Sequence, residues 1–175
     1  MINGSRIIIR KKGPDDAWDD YAWEADPELA RLDAAPVVTI PYSQYLMDYT
    51  HELSSPNTTS YRFSVCTLDG KHIGNCSYYN FSKYRGETEM GIMIGDRDYW
   101  DKGYGTDVVA TLVDYIFGKL ELDRIYLKTL DSNIRAQRCF QKCGFRPYGQ
   151  NTKGGIKFML MEIYRHQWSE EETEG

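Results

Sequence analysis

The densest chemical signal in the chain is Tyr99-Trp100-Asp101-Lys102-Gly103-Tyr104-Gly105-Thr106. Glycine carries no Cβ, so two glycines this close let a backbone pass near a ligand. The segment stands between a strand-like run and a helix-like run. The unpaired N–H groups of a first helical turn point at whatever lies in front of them, and the helix dipole favours an anion there. The pattern describes a cradle for a phosphate or pyrophosphate group. A tight turn with no ligand is the simpler alternative for so short a motif. A nucleotide-binding module using the same cradle is the less favoured alternative, because no Lys-Ser or Lys-Thr follows the glycines as a P-loop requires. His51, His72 and His166 show neither triad nor metal spacing. Cys66, Cys76, Cys139 and Cys143 form no CxxC pair, so no metal is expected and the cysteines read as small buried hydrophobes in a reducing compartment.

A second segment lies about thirty residues on, from Asp131 through Asn133, Arg135, Ala136, Phe140 and Lys142 to Gly144-Phe145. The two motifs, in this order and spacing, resemble the GNAT superfamily of N-acetyltransferases. The first is similar to the family's coenzyme A pyrophosphate loop, Q/R-x-x-G-x-G/A, and the second to its N-x-R-A-x-x-x-Y-x-K-x-G-F signature. Trp100 stands where Gln or Arg is common, as in the branch of ribosomal-protein alanine, polyamine and aminoglycoside acetyltransferases. The resemblance is dense from Glu89 to Phe145 and looser, but collinear, elsewhere.

That resemblance implies an α/β (α+β) GNAT fold, with a mixed, mostly antiparallel central sheet and helices on both faces. It implies acetyl-CoA as co-substrate and an amine as acceptor, which is a protein N-terminus, a polyamine or another small amine. By the same resemblance Met93 and Ile94 pair with the pantetheine arm. Lys102, Gly103, Tyr104, Gly105 and Thr106 supply backbone N–H groups to the pyrophosphate. Asn133 faces the coenzyme, caps the last helix, or does both. Arg138 and Lys142 neutralise coenzyme phosphates or belong to a solvated helix face. Phe140 borders the coenzyme where the family often has a Tyr that protonates the leaving thiolate. Phe has no hydroxyl, which keeps a second reading open: a coenzyme A-binding sensor or scaffold with weak turnover.

The reaction itself demands a proton acceptor. An alkylamine of pKa ~10 is ammonium at neutral pH and has no lone pair to attack a thioester. A carboxylate in reach solves this. Glu89 stands where relatives of this branch carry Glu, on the strand that feeds the cradle, and Glu87 shares its strand parity. The alternative for either is a solvent-facing strand carboxylate. A backbone N–H near Met93 is the simplest donor to the developing oxyanion.

Positioning these groups requires a particular run of elements. Arg6–Arg10 reads as a first strand, and Pro14 opens a helix with Asp15 and Asp16 in its first turn. Pro27 and Pro36 break the next stretch into short pieces. A helix is expected from Pro41 to about Leu53, with Tyr42, Tyr45, Leu46 and Tyr49 on one stripe that either packs in the core or walls an acceptor site. Tyr61–Leu68 and Lys71–Tyr79 read as a hairpin about Asp69-Gly70, and Glu87–Ile94 as a further strand. Thr106–Leu120 is an amphipathic helix, Arg124–Thr129 a strand, and Ser132–Cys143 a helix stopped by Gly144 and Phe145. Late strands include Ile156–Ile163.

The 175 residues suit one domain over 1–168, with an acidic, disordered tail at 169–175. A net charge of −5 argues against nucleic acid as partner and suits a cationic acceptor. The N-terminus has no apolar signal-like region, and no apolar run is long enough to span a membrane. A cytoplasmic protein without membrane or nucleic-acid partner is expected. The family resemblance allows a homodimer.

Overall fold

The computed structural model describes residues 1–168, and the expected tail at 169–175 lies outside them. Strands β1 (Ile2–Asn3) and β2 (Ile7–Lys11) pair first. A 3-10 turn at Pro14–Asp16 leads into helix α1 (Ala17–Glu24). Helices α2 (Pro27–Leu32) and α3 (Tyr42–Ser54) come next. Strands β3 (Tyr61–Thr67), β4 (His72–Ser82) and β5 (Glu87–Ile94) then run in succession. The chain finishes with α4 (Tyr104–Lys119), β6 (Arg124–Leu130), α5 (Ile134–Lys142), β7 (Arg146–Lys153) and β8 (Ile156–Tyr164). The short strand β1 and the start of α4 at Tyr104 exceed what periodicity alone marks.

Local chemistry explains the boundaries. Pro27 sits at the first position of α2, and the Asp26 side chain accepts hydrogen bonds from the Glu28 and Leu29 amides. Gly70 turns the β3–β4 hairpin with φ 93°. Helix α5 stops in a Schellman pair: Phe145 N–H donates to Phe140 O at 3.1 Å and Gly144 N–H to Gln141 O at 3.1 Å. Gly144 has φ 90°, and the Phe140 and Phe145 rings meet edge-on at 5.8 Å.

The eight strands form one sheet in the order β1-β2-β3-β4-β5-β6-β8-β7. All neighbours are antiparallel except β5 and β6. Helix α4 covers one face, where Val109, Leu112 and Ile116 close over Ile7, Ile73, Met90 and Ile125. The opposite face carries α1, tied down by polar bonds. Lys12 Nζ reaches Asp20 Oδ2 and Asn75 Oδ1, both at 2.6 Å, and Tyr49 Oη donates to Asp20 at 2.8 Å. The tyrosine stripe of α3 is core: Tyr45 and Tyr49 are buried with Ala17 in a small second cluster. Among the described residues no helix is long and apolar enough to cross a membrane.

The parallel pair is the part of the sheet that matters most for chemistry. Strands β5 and β6 pair only at Glu87↔Arg124, Thr88↔Ile125 and Glu89↔Tyr126. Beyond those residues β5 continues with β4 as far as Ile94, while β6 continues with β8 as far as Leu130. The sheet therefore opens as a fork from Met90 onward.

Candidate active site

The fork leaves half of the β5 backbone without a strand partner. Gly95 N–H donates to Ile73 O at 3.0 Å, which makes the odd-numbered residues of β5 the ones that face β4. Ile92 and Ile94 therefore aim their amide and carbonyl groups into the fork. The Trp100 indole N–H confirms the direction, donating to Ile94 O at 2.7 Å. Of the two residues expected to meet the pantetheine arm, Ile94 faces the fork and Met93 faces β4. The nearest free donor to a group held in the fork is the Ile92 amide rather than that of Met93.

Below the fork lies the glycine segment. Asp101 and Gly103 both take left-handed conformations, with φ 55° and 84°. Gly103 is the N-cap of α4, so the first amides of that helix open onto the fork. A Cβ at Gly105 would stand 3.6 Å from Cys139 Sγ and 4.0 Å from Ile92 Cδ1 and Ile94 Cγ1. The absent side chain thus leaves room in the cleft rather than relieving a clash. Lys102 and Tyr104 turn their side chains elsewhere: Lys102 Nζ donates to Asp98 O, and Tyr104 packs edge-on against Tyr99 at 5.0 Å.

Three cavities converge on the fork. The first is a cleft of about 490 Å³ between β5, the α4 N-terminus and α5, within the range of small-molecule sites. Gly103, Gly105, Thr106 and Asn133 line it, as do Arg135, Arg138, Cys139 and Lys142. Those last four fall at helical spacing, so one stripe of α5 carries three cations into the cleft. The Arg135 guanidinium lies 3.5 Å from the Trp100 ring centroid, a stacking that fixes where this cation stands. Asn133 is both cap and lining residue: its side chain accepts from Ala136 N–H at 3.2 Å. An anionic pyrophosphate-bearing coenzyme fits such a cleft, which offers helix amides, a glycine gap and a cationic stripe.

The second cavity, about 440 Å³, lies on the α1 side and is lined by Glu24, Asp33, Lys12, Arg62, Tyr79 and Met93 among others. Its cations are already matched, Lys12 by Asp20 at 2.6 Å and Arg62 by Glu52 at 2.7 Å. Glu24 and Asp33 give it acidic character. Burial pushes the Glu24 carboxyl up, against a hydrogen bond from Tyr45 Oη at 3.1 Å. Asp33 keeps solvent access at the mouth, yet its enclosure and the neighbouring Glu24 push it up to about 6, with Arg62 pulling the other way. The third cavity, about 500 Å³, opens between β5 and β6 and takes in Tyr79, Asn133, Phe140 and Phe158. Phe140 borders this third space and not the glycine cleft.

Glu89 is 7% exposed and lines none of the three cavities. Its Oε1 accepts from Tyr79 Oη and its Oε2 from Asn80 Nδ2, both at 3.0 Å. It meets the cavities through the Tyr79 ring, which lines two of them. Glu87 is turned to Arg124 at 2.9 Å. Sequence reasoning gave Ile92 and Arg135 no role, and Asp33 only that of one among several scattered acids, with Asp26, Glu28, Asp48 and Glu52, that could steer a cationic acceptor. For Ile92 the signal was strand parity, and for Arg135 the helical spacing to Arg138 and Lys142. Asp33 carried no local signal.

Helices α1 and α2 are held over the fork by one contact each. Arg97, just beyond β5, pairs with Asp26 at 3.0 Å and Glu28 at 2.8 Å. The Trp23 ring lies against Gly95, where a Cβ would stand 2.1 Å from Trp23 Cδ2. Any residue other than glycine there would push α1 and α2 away. Among the described residues no group of three or more His, Cys, Asp or Glu stands ready to hold a metal.

Comparison with known proteins agrees with this geometry. Residues 6–146 match the family model described as acetyltransferase (GNAT) domain. The chain is 25% identical over 166 residues to the N-acetyltransferase p20 of Bacillus licheniformis, itself uncharacterised, covering 91% of this chain and 90% of that one. It is 28% identical over 130 residues to aminoglycoside N(6')-acetyltransferase type 1 of Klebsiella pneumoniae, covering 69% of this chain and 62% of that protein. In fold it is similar to the spermidine N-acetyltransferase of Vibrio cholerae solved with CoA and spermine, with TM-score 0.83 at 18% identity, over 94% of this chain and 99% of that one. With the model match spanning most of its length, the chain belongs to the GNAT acetyltransferase family.

Proposed function

We propose that this N-acetyltransferase moves the acetyl group of acetyl-CoA to a primary amine of a small polycationic molecule, a polyamine or an aminoglycoside. The observation that carries this reading is the pair of unlike cavities meeting at the fork. One is lined by helix amides and cations, the other by carboxylates.

Bound acetyl-CoA supplies an activated thioester carbonyl. The chain's own residues do the rest. Backbone amides of Lys102, Gly103, Tyr104, Gly105 and Thr106 hold the pyrophosphate, helped by the cationic stripe of α5. Ile94 and Met93, with Asn133 opposite, border the arm that leads into the fork. The Ile92 N–H holds the carbonyl oxygen, where a fixed backbone donor favours developing negative charge. Glu24 and Asp33 draw the ammonium to the other side. Glu89 fixes Tyr79, and so the floor between them. Phe140 packs at the rim without donating a proton. Two of the three proteins named above are called spermidine and aminoglycoside acetyltransferases, which supports this reading, and the third is called an N-acetyltransferase without a stated acceptor.

Thiol release from acetyl-CoA with spermidine, spermine, kanamycin and an alanyl peptide tests the reading. Release with the polycations and not with the peptide is expected. Release with the peptide alone would assign a protein N-terminus as acceptor. Calorimetric binding of coenzyme A with no release from any amine would favour the sensor reading, which the missing hydroxyl at Phe140 supports.

A further inference from the structure

Acetyl transfer to an ammonium needs a proton acceptor where the cavities meet. Two residues line all three cavities: Ile92, which offers a backbone donor, and Asp33. The Asp33 carboxylate accepts no hydrogen bond from any other described residue, whereas both oxygens of Glu89 are engaged by Tyr79 and Asn80. We propose that Asp33, at the junction of the three cavities, is the residue that takes the proton from the acceptor ammonium.

The backbone holds Asp33 in place. It is the C-cap of α2. Ala34 comes next in a left-handed conformation with φ 51°. Ala34 N–H donates to Arg31 O at 3.1 Å and Ala35 N–H to Ala30 O at 2.9 Å, the two bonds of a Schellman stop. Glycine is the usual residue at such a position, and an alanine there is strained. Strain kept at a site clamped by Arg97 and Trp23 fits a residue whose placement matters. Such a carboxyl sits closer to the amine in proton affinity than an ordinary aspartate does. The charged and titratable groups that share its three cavities are Glu24 from α1, Lys12 beyond β2, Arg62 from β3, Tyr79 from β4, Lys128 and Lys153 from β6 and β7, and, across the glycine cleft, Asp101 and the α5 cations Arg135, Arg138 and Lys142.

Atoms and electrons balance in this step. The ammonium gives one proton to Asp33 and gains a lone pair on nitrogen. That pair forms the new N–C bond, the C–S bond breaks, and its electrons leave on sulfur. A second proton from nitrogen goes to the thiolate, and Asp33 later returns its proton to water.

This inference rests on the acetyl-transfer reading, so thiol release by the wild type with spermidine is the control for that reading alone. The decisive comparison is Asp33→Asn, with Glu89→Gln alongside. For Asp33→Asn the turnover number at pH 7 should fall ~10²–10⁴-fold. The deficit should narrow as pH approaches the amine's own pKa of ~10. In the coenzyme-free protein, a carbon-13 titration should place the carboxyl missing from Asp33→Asn near pH 6, as its raised position requires. Coenzyme A affinity by calorimetry should not change. A working wild type whose Asp33→Asn variant keeps its rate at every pH would overturn the assignment. A pH-independent defect carried by a raised KM would overturn it too, leaving Asp33 as a binding group only. So would a titration midpoint in the ordinary carboxylate range.

Discussion

Replacing Gly105 by valine should separate the ligand's needs from the fold's. Gly105 is the second residue of α4, and its Cβ would point among Cys139, Ile92 and Ile94 at 3.6 to 4.0 Å, ordinary contact distances. The protein can therefore hold the side chain. Removing a helical glycine gains up to about 1 kcal/mol, and β-branching gives part of that back. Stability should stay within about 1 kcal/mol of wild type, a melting shift of no more than about 2–4 °C for a domain of this size. The valine methyls, however, occupy cleft space in front of the α4 amides. A hydrogen bond to a charged group contributes about 1.5–3 kcal/mol, so losing one weakens coenzyme A about 10- to 150-fold. Gly103→Ala should show the opposite pattern. Its φ of 84° makes alanine cost about 1–2 kcal/mol in stability, while the nearest atom to the new Cβ is Arg6 Nη1 at 3.6 Å. Titration calorimetry with coenzyme A and thermal melts read both quantities. A Gly105→Val protein that melts like wild type and binds coenzyme A unchanged would refute the cradle.

Other perturbations probe the remaining groups. Glu89→Gln keeps one acceptor for Tyr79 Oη, so its rate loss should stay below about tenfold, with the shape of the pH–rate profile kept; a profile that loses its acid limb would return the base role to Glu89. Phe140 is buried in the core yet borders the third cavity, so Phe140→Tyr should cost less than about 1 kcal/mol, with turnover held or raised, if the added hydroxyl reaches that space; a larger loss with slower turnover would mean the ring is packed too tightly to take the oxygen. Lys12→Met should destabilise by about 3–5 kcal/mol, because it strands the fully buried Asp20 carboxylate, and denaturant unfolding measures it. Asp33→Asn should raise the melting temperature near pH 8 but not near pH 4. The sign comes from a folded-state pKa above the unfolded one: the carboxyl favours folding while protonated and loses that contribution as pH rises through about 6. An equal effect at both pH values would contradict the raised pKa.

Much of the molecule was legible because its signals are local. The Asp69-Gly70 hairpin and the Gly144-Phe145 stop each depend on a few adjacent residues, and the structure has both; Pro27, expected only to break the stretch, turns out to open α2. The strand Glu87–Ile94 and the alternation along it were equally plain. The glycine segment could be read as a strand-to-helix turn with open amides because backbone amides and missing Cβ atoms are properties of the segment itself.

Other features depend on which elements meet. The tyrosine stripe of α3 suited a core or an acceptor wall equally well until Glu24 and Asp20 were found at the Tyr45 and Tyr49 hydroxyls. Parity along β5 was readable, but the hydrogen-bonded register with β4 decides that Ile92, and not Met93, turns its amide to the fork. Glu89 has the right residue type on the right strand, yet Tyr79 and Asn80 cover its oxygens, and both come from the neighbouring strand. Asp33 is one acid among 26 Asp and Glu in sequence. It shares its cavities with Ile92 where Arg97 and Gly95, more than sixty residues later, meet α2 and α1 over the open end of the sheet. The sequence by itself determined most of the elements and the glycine turn that opens α4, since those depend on short-range backbone chemistry. The tertiary structure alone decided which carboxylates line the cavities, because exposure and hydrogen-bond satisfaction depend on partners distant along the chain.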